Sequence, residues 1–189
     1  CEYLIDIIKS YSLPLDKFQF EITESIATTY TKELEEVIYY LKQNGIRICL
    51  DDFGSGYANL NSILHLPFSV IKMDRSLLKN ICEDESVSMF YQNMVRTLKN
   101  MGYKIVAEGI EERKEVDLME QWHVDMIQGY YYSKPLNSKD VVEKIKERQS
   151  KGKKFSVVVV SEGAFPKGGE IVVKTTREGG AGVTIVTLR

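Results

Sequence analysis

Residues 47–60 read RICLDDFGSGYANL: an apolar run that stops on two adjacent acids and then turns through Phe and two glycines. Taken alone, Asp51-Asp52 ahead of Phe53-Gly54 fits a plain surface turn as well as a site. Two carboxylates packed against the end of a buried strand are costly unless positive charge lies between them. What the rest of the chain sets beside them decides between the two readings.

Working outward, short apolar runs recur on both sides. FQFEI (18–22), IRICL (46–50), VIKM (70–73), KIVAE (104–108) and DMIQGYY (125–131) have strand character. Between them the spacing predicts helices over 31–43, 86–100 and 114–122; the first carries Leu34, Val37, Ile38 and Leu41 on one face. Asn44-Gly45 and Gly102 supply helix stops. Doubly buried short strands alternating with helices indicate a parallel sheet, either open and doubly wound or closed as a barrel.

Each strand candidate carries ionisable or amide residues at its C-terminal end: Glu21 and Glu24, Asp51 and Asp52, Lys72 and Asp74, Glu108 and Glu111, then Gln128. In parallel α/β folds that end is where sites are built. Several acids on consecutive strands imply a ring of carboxylates about one point, which divalent cations make tolerable. His65 and His123 are isolated, and Cys1, Cys49 and Cys82 show neither zinc nor redox spacing. Oxygen-only donors favour Mg²⁺ or Mn²⁺ over zinc. Two metals, carboxylates and a lysine at Lys72 suit hydrolysis of a phosphate ester by activated water. Bland readings stand beside this: Lys72 and Asp74 as a surface pair, and Glu111-Glu112-Arg113 as solvated helix charge.

Composition limits the partners. The 189 residues hold 25 Lys and Arg against 27 Asp and Glu, a formal net charge of −2. That balance argues against a DNA- or RNA-binding surface. No apolar run is long enough to span a bilayer and none reads as a signal peptide, so the expected location is cytoplasmic, with membrane attachment only through upstream domains. The chain starts at Cys1 and reads as a piece of a longer protein.

FEITES, DDFGSGYANL, IKMDRSLL, AEGIE and QGYYYSKPL stand in order and spacing as in the EAL-domain family, cyclic di-GMP phosphodiesterases, and the resemblance covers residues 1–149. It implies a TIM-like (β/α) barrel, present here as its C-terminal strands only, and cleavage of cyclic di-GMP to pGpG with Mg²⁺ or Mn²⁺. By motif, Glu21, Asp51, Asp52 and Glu108 resemble metal ligands, Asp51 being the one shared between two metals. Lys72 resembles the lysine that holds the attacking water. Glu108 also resembles a general base, with Glu111 in support. Glu24 resembles the anchor of the loop after Asp52, through which the family dimerises. Gly54 and Gly56 are expected to let that loop fold over the acids, with Asp74 and Gln128 near the site. The name-giving Glu-Ala-Leu triplet and a later Asn are absent from this sequence. The expectations are therefore an incomplete metal site, exposed parallel strand edges and a chain inactive on its own. A non-catalytic cyclic di-GMP receptor, a partner-binding module and an unstable fragment are the alternatives.

Near residue 150 the character changes. All tyrosines and methionines precede this point, and more than half of the glycines follow it. The segment 150–189 reads as a β-rich tail of separate or fused origin, with strands in FSVVVV and GAGVTIVTL and a strand or short helix in EIVVKTT. KGKKFSVVVVSEGAFPKGGEIVV is similar to a segment of 6-phosphofructokinases in which Glu162 would contact a sugar phosphate. That family's glycine-rich ATP loop and catalytic aspartates are absent here.

Overall fold

A computed structural model of the chain describes residues 2–12, 14–28, 31–56, 64–134, 136, 140 and 143, and the strands at 156–161, 171–178 and 185–188. Residues 57–63, the basic run at 151–154 and Glu162 lie outside the described residues. Helix α1 (Glu2–Ser10) leads into β1 (Gln19–Thr23), α2 (Glu24–Thr28), α3 (Lys32–Gln43) and β2 (Arg47–Phe53). Then come β3 (Val70–Met73), α4 (Glu85–Asn100), β4 (Lys104–Ala107), α5 (Arg113–Gln121) and β5 (Met126–Gln128). The tail adds β6 (Ser156–Ser161), β7 (Ile171–Glu178) and β8 (Ile185–Leu188). The ambiguous segment EIVVKTT is thus a strand. Helix α1 was not foreseen.

Strands β1 to β5 pair in sequence order and all in parallel, each next to the strand that follows it. This is the geometry expected when each strand is returned by a helix across one face. Beyond β5 the sheet continues as β7, β6 and β8, and β8 lies alongside β1. The parallel edge of β5, expected to be open, pairs antiparallel with β7.

The strand period of two separates the sheet into two faces. Ile48, Leu50, Ile71, Met73, Ile105, Ala107 and Ile127 pack with Ile38, Leu41, Val95, Leu98, Val116 and Met119 from the helices. Side chains of this kind contribute roughly 1.5–3 kcal/mol each on burial. The alternate positions carry Gln19, Cys49, Val70, Val106 and Met126, all buried and none part of that helix-packed core. Two residues further along the same strands stand Glu21, Asp51, Lys72, Glu108 and Gln128. The polar layer is therefore the upper storey of the face turned away from the helices.

Helix ends match their chemistry. The Thr31 hydroxyl accepts the Leu34 N–H at 3.2 Å, and the Asp84 carboxylate accepts Ser86 N–H at 2.8 Å and Val87 N–H at 3.3 Å. Ahead of α5, one carboxylate oxygen of Glu115 takes the N–H groups of Glu111 and Glu112 at 2.8 and 2.9 Å.

The segment after β4 is held against the end of β5. Ile110 N–H donates to the Gln128 carbonyl and Tyr131 N–H to the Ile110 carbonyl, each at 3.1 Å. Gly129 makes that approach possible: a Cβ there would fall 2.0 Å from the Ile110 carbonyl oxygen and 2.4 Å from its nitrogen. Because both obstacles are backbone, neither can swing aside. Gly129→Ala should therefore lower the unfolding free energy by roughly 3 kcal/mol, the upper end of overpacking costs. Chemical denaturation of the two proteins measures it.

Candidate metal centre

Lys72 sits at the middle of the polar layer with a side chain only 5% exposed. Its ammonium lies 2.5 Å from Asp51 Oδ1, 3.0 Å from Glu108 Oε1 and 3.1 Å from Glu21 Oε2. Glu21 is on β1, Asp51 on β2 and Glu108 directly after β4, while Lys72 itself is on β3. The surface-pair reading of Lys72 is thereby excluded. Burial pulls its pKa down, but Glu108, Glu21 and Asp51 outweigh that and hold it well above the ordinary lysine value. Gln128 closes the row from β5, donating its amide N–H to Glu108 Oε1 at 2.9 Å.

Asp52 should by alternation point to the helix side. It does not, because β2 is bulged. Leu50 pairs with Ile71 and Phe53 with Met73, so two residues of β2 oppose the single Lys72 of β3. Asp52 adopts φ +56°, a left-handed conformation that Asp tolerates better than most residues. Regular alternation would send the two acids to different sides. In the structure Asp51, Asp52 and Glu108 each offer a carboxylate oxygen, all within 4.8 Å of one another. Three converging oxygens and no nitrogen or sulfur donor suit a hard divalent cation.

The loop that follows is clamped from below. Gly54 N–H donates to Glu24 Oε2 at 2.8 Å, and Glu24 is buried at the start of α2. Gly54 has φ +92°, and a Cβ there would fall within 2.8 Å of three Leu77 side-chain atoms. Gly56 differs: a Cβ there would meet nothing within 4 Å, so the chain path places no demand on it.

Two expected site residues stand apart from the cluster. Glu111 pairs with Arg75 at 2.6 Å, in a partly exposed bridge on the rim. Asp74 accepts the Ser76 N–H at 2.8 Å and caps the short 3-10 helix Arg75–Leu78. Residues missed in the sequence are structural supports: Gly129, whose backbone contact joins the β4 and β5 ends, and Arg75, which holds Glu111. The five-motif order pointed to both segments but not to these contacts.

The sequence model of the EAL domain matches residues 1–135. The chain belongs to the EAL-domain family. Cyclic di-GMP phosphodiesterase PdeL of Escherichia coli is 36% identical over 120 residues, covering 64% of this chain and 33% of PdeL. Among solved structures, an EAL domain protein from Listeria monocytogenes superposes with a TM-score of 0.66 at 29% identity, covering 79% of this chain and 57% of that one. A standalone EAL protein from Vibrio cholerae, solved with c-di-GMP bound, gives 0.63 at 28% identity, over 69% and 55%. The chain spans only a fraction of its curated relatives, 20% of an uncharacterized Synechocystis protein and 33% of PdeL. Its architecture is that of an incomplete α/β barrel of the EAL kind. No helix among the described residues is long and apolar enough to cross a membrane.

Removing Lys72 leaves three buried carboxylates facing one another. Lys72→Met should cost about 3–5 kcal/mol, the usual effect of deleting one partner of a buried ion pair. Mn²⁺ should raise the melting temperature of that variant by more than it raises the parent's, which paired calorimetric scans measure.

The alkaline limb of stability has a defined sign. Burial raises the Cys49 thiol and the Tyr91 hydroxyl, and the carboxylates raise Lys72. All three bind their protons more tightly folded than unfolded. Their contribution is complete below the unfolded values and is lost as pH climbs through the folded ones. Stability should hold to about pH 8 and fall above it, beginning near the free-thiol value of about 8.5. Cys49→Ala should make the fall between about pH 8.5 and 10 shallower, leaving the part due to Cys82, whose thiol burial also raises, read from denaturation midpoints at stepped pH.

Proposed function

We propose that this chain carries the metal-binding half of a phosphodiesterase site of the EAL type, which opens cyclic di-GMP to linear pGpG. The observation that carries this reading is the bulge at Asp51-Asp52, which brings two adjacent acids and Glu108 to one point beside Lys72. Relatives named as cyclic di-GMP phosphodiesterases support it. Asp51, Asp52 and Glu108, with Glu21, are the residues that would hold Mg²⁺ or Mn²⁺. Such a cation supplies Lewis-acid polarisation of the phosphate and a more acidic water.

The chain's own groups do the positioning. Lys72 presents a permanently charged ammonium fixed by Glu21, Asp51 and Glu108, suited to orienting a water or steadying negative charge on a phosphate oxygen. Glu108 is held by the Gln128 amide and the Lys72 ammonium, an orientation suited to taking a proton from the attacking water. Glu24 fixes the loop at Gly54, so that the second acid keeps its place. Glu111 and Arg75 form a charged rim that acts on substrate approach rather than on the bond broken.

The Glu-Ala-Leu triplet and the later Asn that complete the family's first metal site are not in this sequence. The reading therefore includes cyclic di-GMP binding without turnover by this chain alone. Self-association is part of it as well. An open apolar groove of about 690 Å³ runs between the loop after Asp52 and α4, lined by Phe53, Leu64, Leu77, Phe90 and Met94.

The test is chromatographic conversion of cyclic di-GMP to pGpG with Mn²⁺, run beside equilibrium binding of the nucleotide, for this chain and Asp51→Asn. The expected result is Mn²⁺-dependent binding by the parent, at least tenfold weaker binding by the variant, and no pGpG from either. Accumulation of pGpG by the parent would show a complete site and overturn the incompleteness. Binding that Asp51→Asn leaves unchanged would overturn the metal role.

A further inference from the structure

The inner face of the five parallel strands poses a burial problem. Gln19, Cys49, Val70, Val106 and Met126 lie on the side opposite the helix-packed core, yet none is more than 2% exposed. An open five-stranded sheet with helices on one face leaves its other face in water. Something else covers this one. Among the elements described, β6 to β8 continue the same sheet beyond β5, and β8 comes back alongside β1.

We propose that the C-terminal strands β6–β8 are the closing wall of this barrel, a segment of the chain that takes the place of further barrel strands and seals the inner face beneath the carboxylate cluster. The register carries the argument. Met126 pairs with Glu178, Ile127 with Arg177 and Gln128 with Thr176, so β7 occupies the open edge of β5 along its whole length. Strand β6 then pairs with β7 over six residues, from Ser156–Thr176 to Ser161–Ile171, and β8 pairs parallel with β6 from Val158–Ile185 to Ser161–Leu188. Strands β6 and β8 thereby run in the direction of β1 to β5, and β7 alone is reversed. Strand β8 lies alongside β1, where pairing would close the second edge, and closure is the one arrangement that leaves a sheet without edges.

Closure also bears on the site. Thr176 is the backbone partner of Gln128, whose side-chain amide holds Glu108. Through that backbone pairing the tail steadies one wall of the cluster. The composition break near residue 150 marks a segment of different character, but one whose three apolar runs fit an unfilled position in the first fold.

The test is cross-linking of the full chain. Antiparallel Cα partners stand about 4.5–5.5 Å apart, within the span of a disulfide. Met126→Cys combined with Glu178→Cys should oxidise to a bridge that peptide mass mapping locates, whereas Met126→Cys with Lys174→Cys, four residues out of register, should not. Failure of the first pair, or equal yield from both, would overturn the proposal. In parallel, a chain ending at residue 149 should lose its cooperative melt and bind a hydrophobic dye that the full chain excludes. A truncated chain that melted at the parent's temperature and excluded the dye would overturn it as well.

Discussion

Lys72 among three carboxylates is the constraint on which the rest of the arrangement depends. A buried ammonium is tolerated only with opposite charge in contact, and buried carboxylates repel one another without a cation between them. Each therefore requires the other, and the fold must deliver them from four strands to one point. Parallel pairing does this with a stagger of two residues, which keeps the side chains on one face while Glu21 pairs with Cys49 rather than with Asp51. Thr23 pairs with Asp51, and Lys72 pairs with Val106, two residues before Glu108. The same period then fixes what lies below: Gln19, Cys49, Val70, Val106 and Met126 must share that face. One electrostatic requirement at the strand ends thus settles the orientation of every strand against the helices.

The bulge at Asp51-Asp52 is the one departure from that period. Regular alternation would have turned Asp52 toward the helix-packed core, where a carboxylate has no place. An extra residue opposite Lys72 redirects it, at the expense of a left-handed backbone conformation at Asp52 and a disrupted ladder. The next residues repay the irregularity. Phe53 returns to register with Met73, and Gly54 passes its N–H to the buried Glu24. The strained pair is held from both sides, and its position is set by rigid elements rather than by the loop beyond.

Much of this was legible because the responsible forces are local. Hydrophobic period and turn residues marked all five parallel strands and three helices, with VIKM agreeing at both ends. The strand-end acids were visible as a coincidence of position. The bulge was not, because two adjacent acids look the same whether a strand is regular or bulged; only the partner strand's count reveals it. Gly129 carried no signal of its own, since its small size is demanded by Ile110, 19 positions away in sequence and in contact only once β4 and β5 lie side by side. Lys72 and Glu111 were each open to a bland reading, which burial excluded for Lys72, while the exposed bridge to Arg75 set Glu111 on the rim. The tail's place in the sheet was hidden for the same reason as Gly129: strand pairing over long sequence separation leaves no trace in local pattern.

Lys72 brings one positive charge to a group of four acids. Glu21, Asp51, Asp52 and Glu108 set against one ammonium leave a formal charge of minus three. One divalent cation brings the sum to minus one, and a second to plus one, so either occupancy lies nearer neutrality than the bare cluster. Screening by solvent is weak at this depth, since Lys72, Glu21 and Asp51 have side chains no more than 6% exposed. The contacts of Lys72 with Glu21, Asp51 and Glu108 hold the carboxylates close together, an arrangement of oxygen donors that suits a divalent cation.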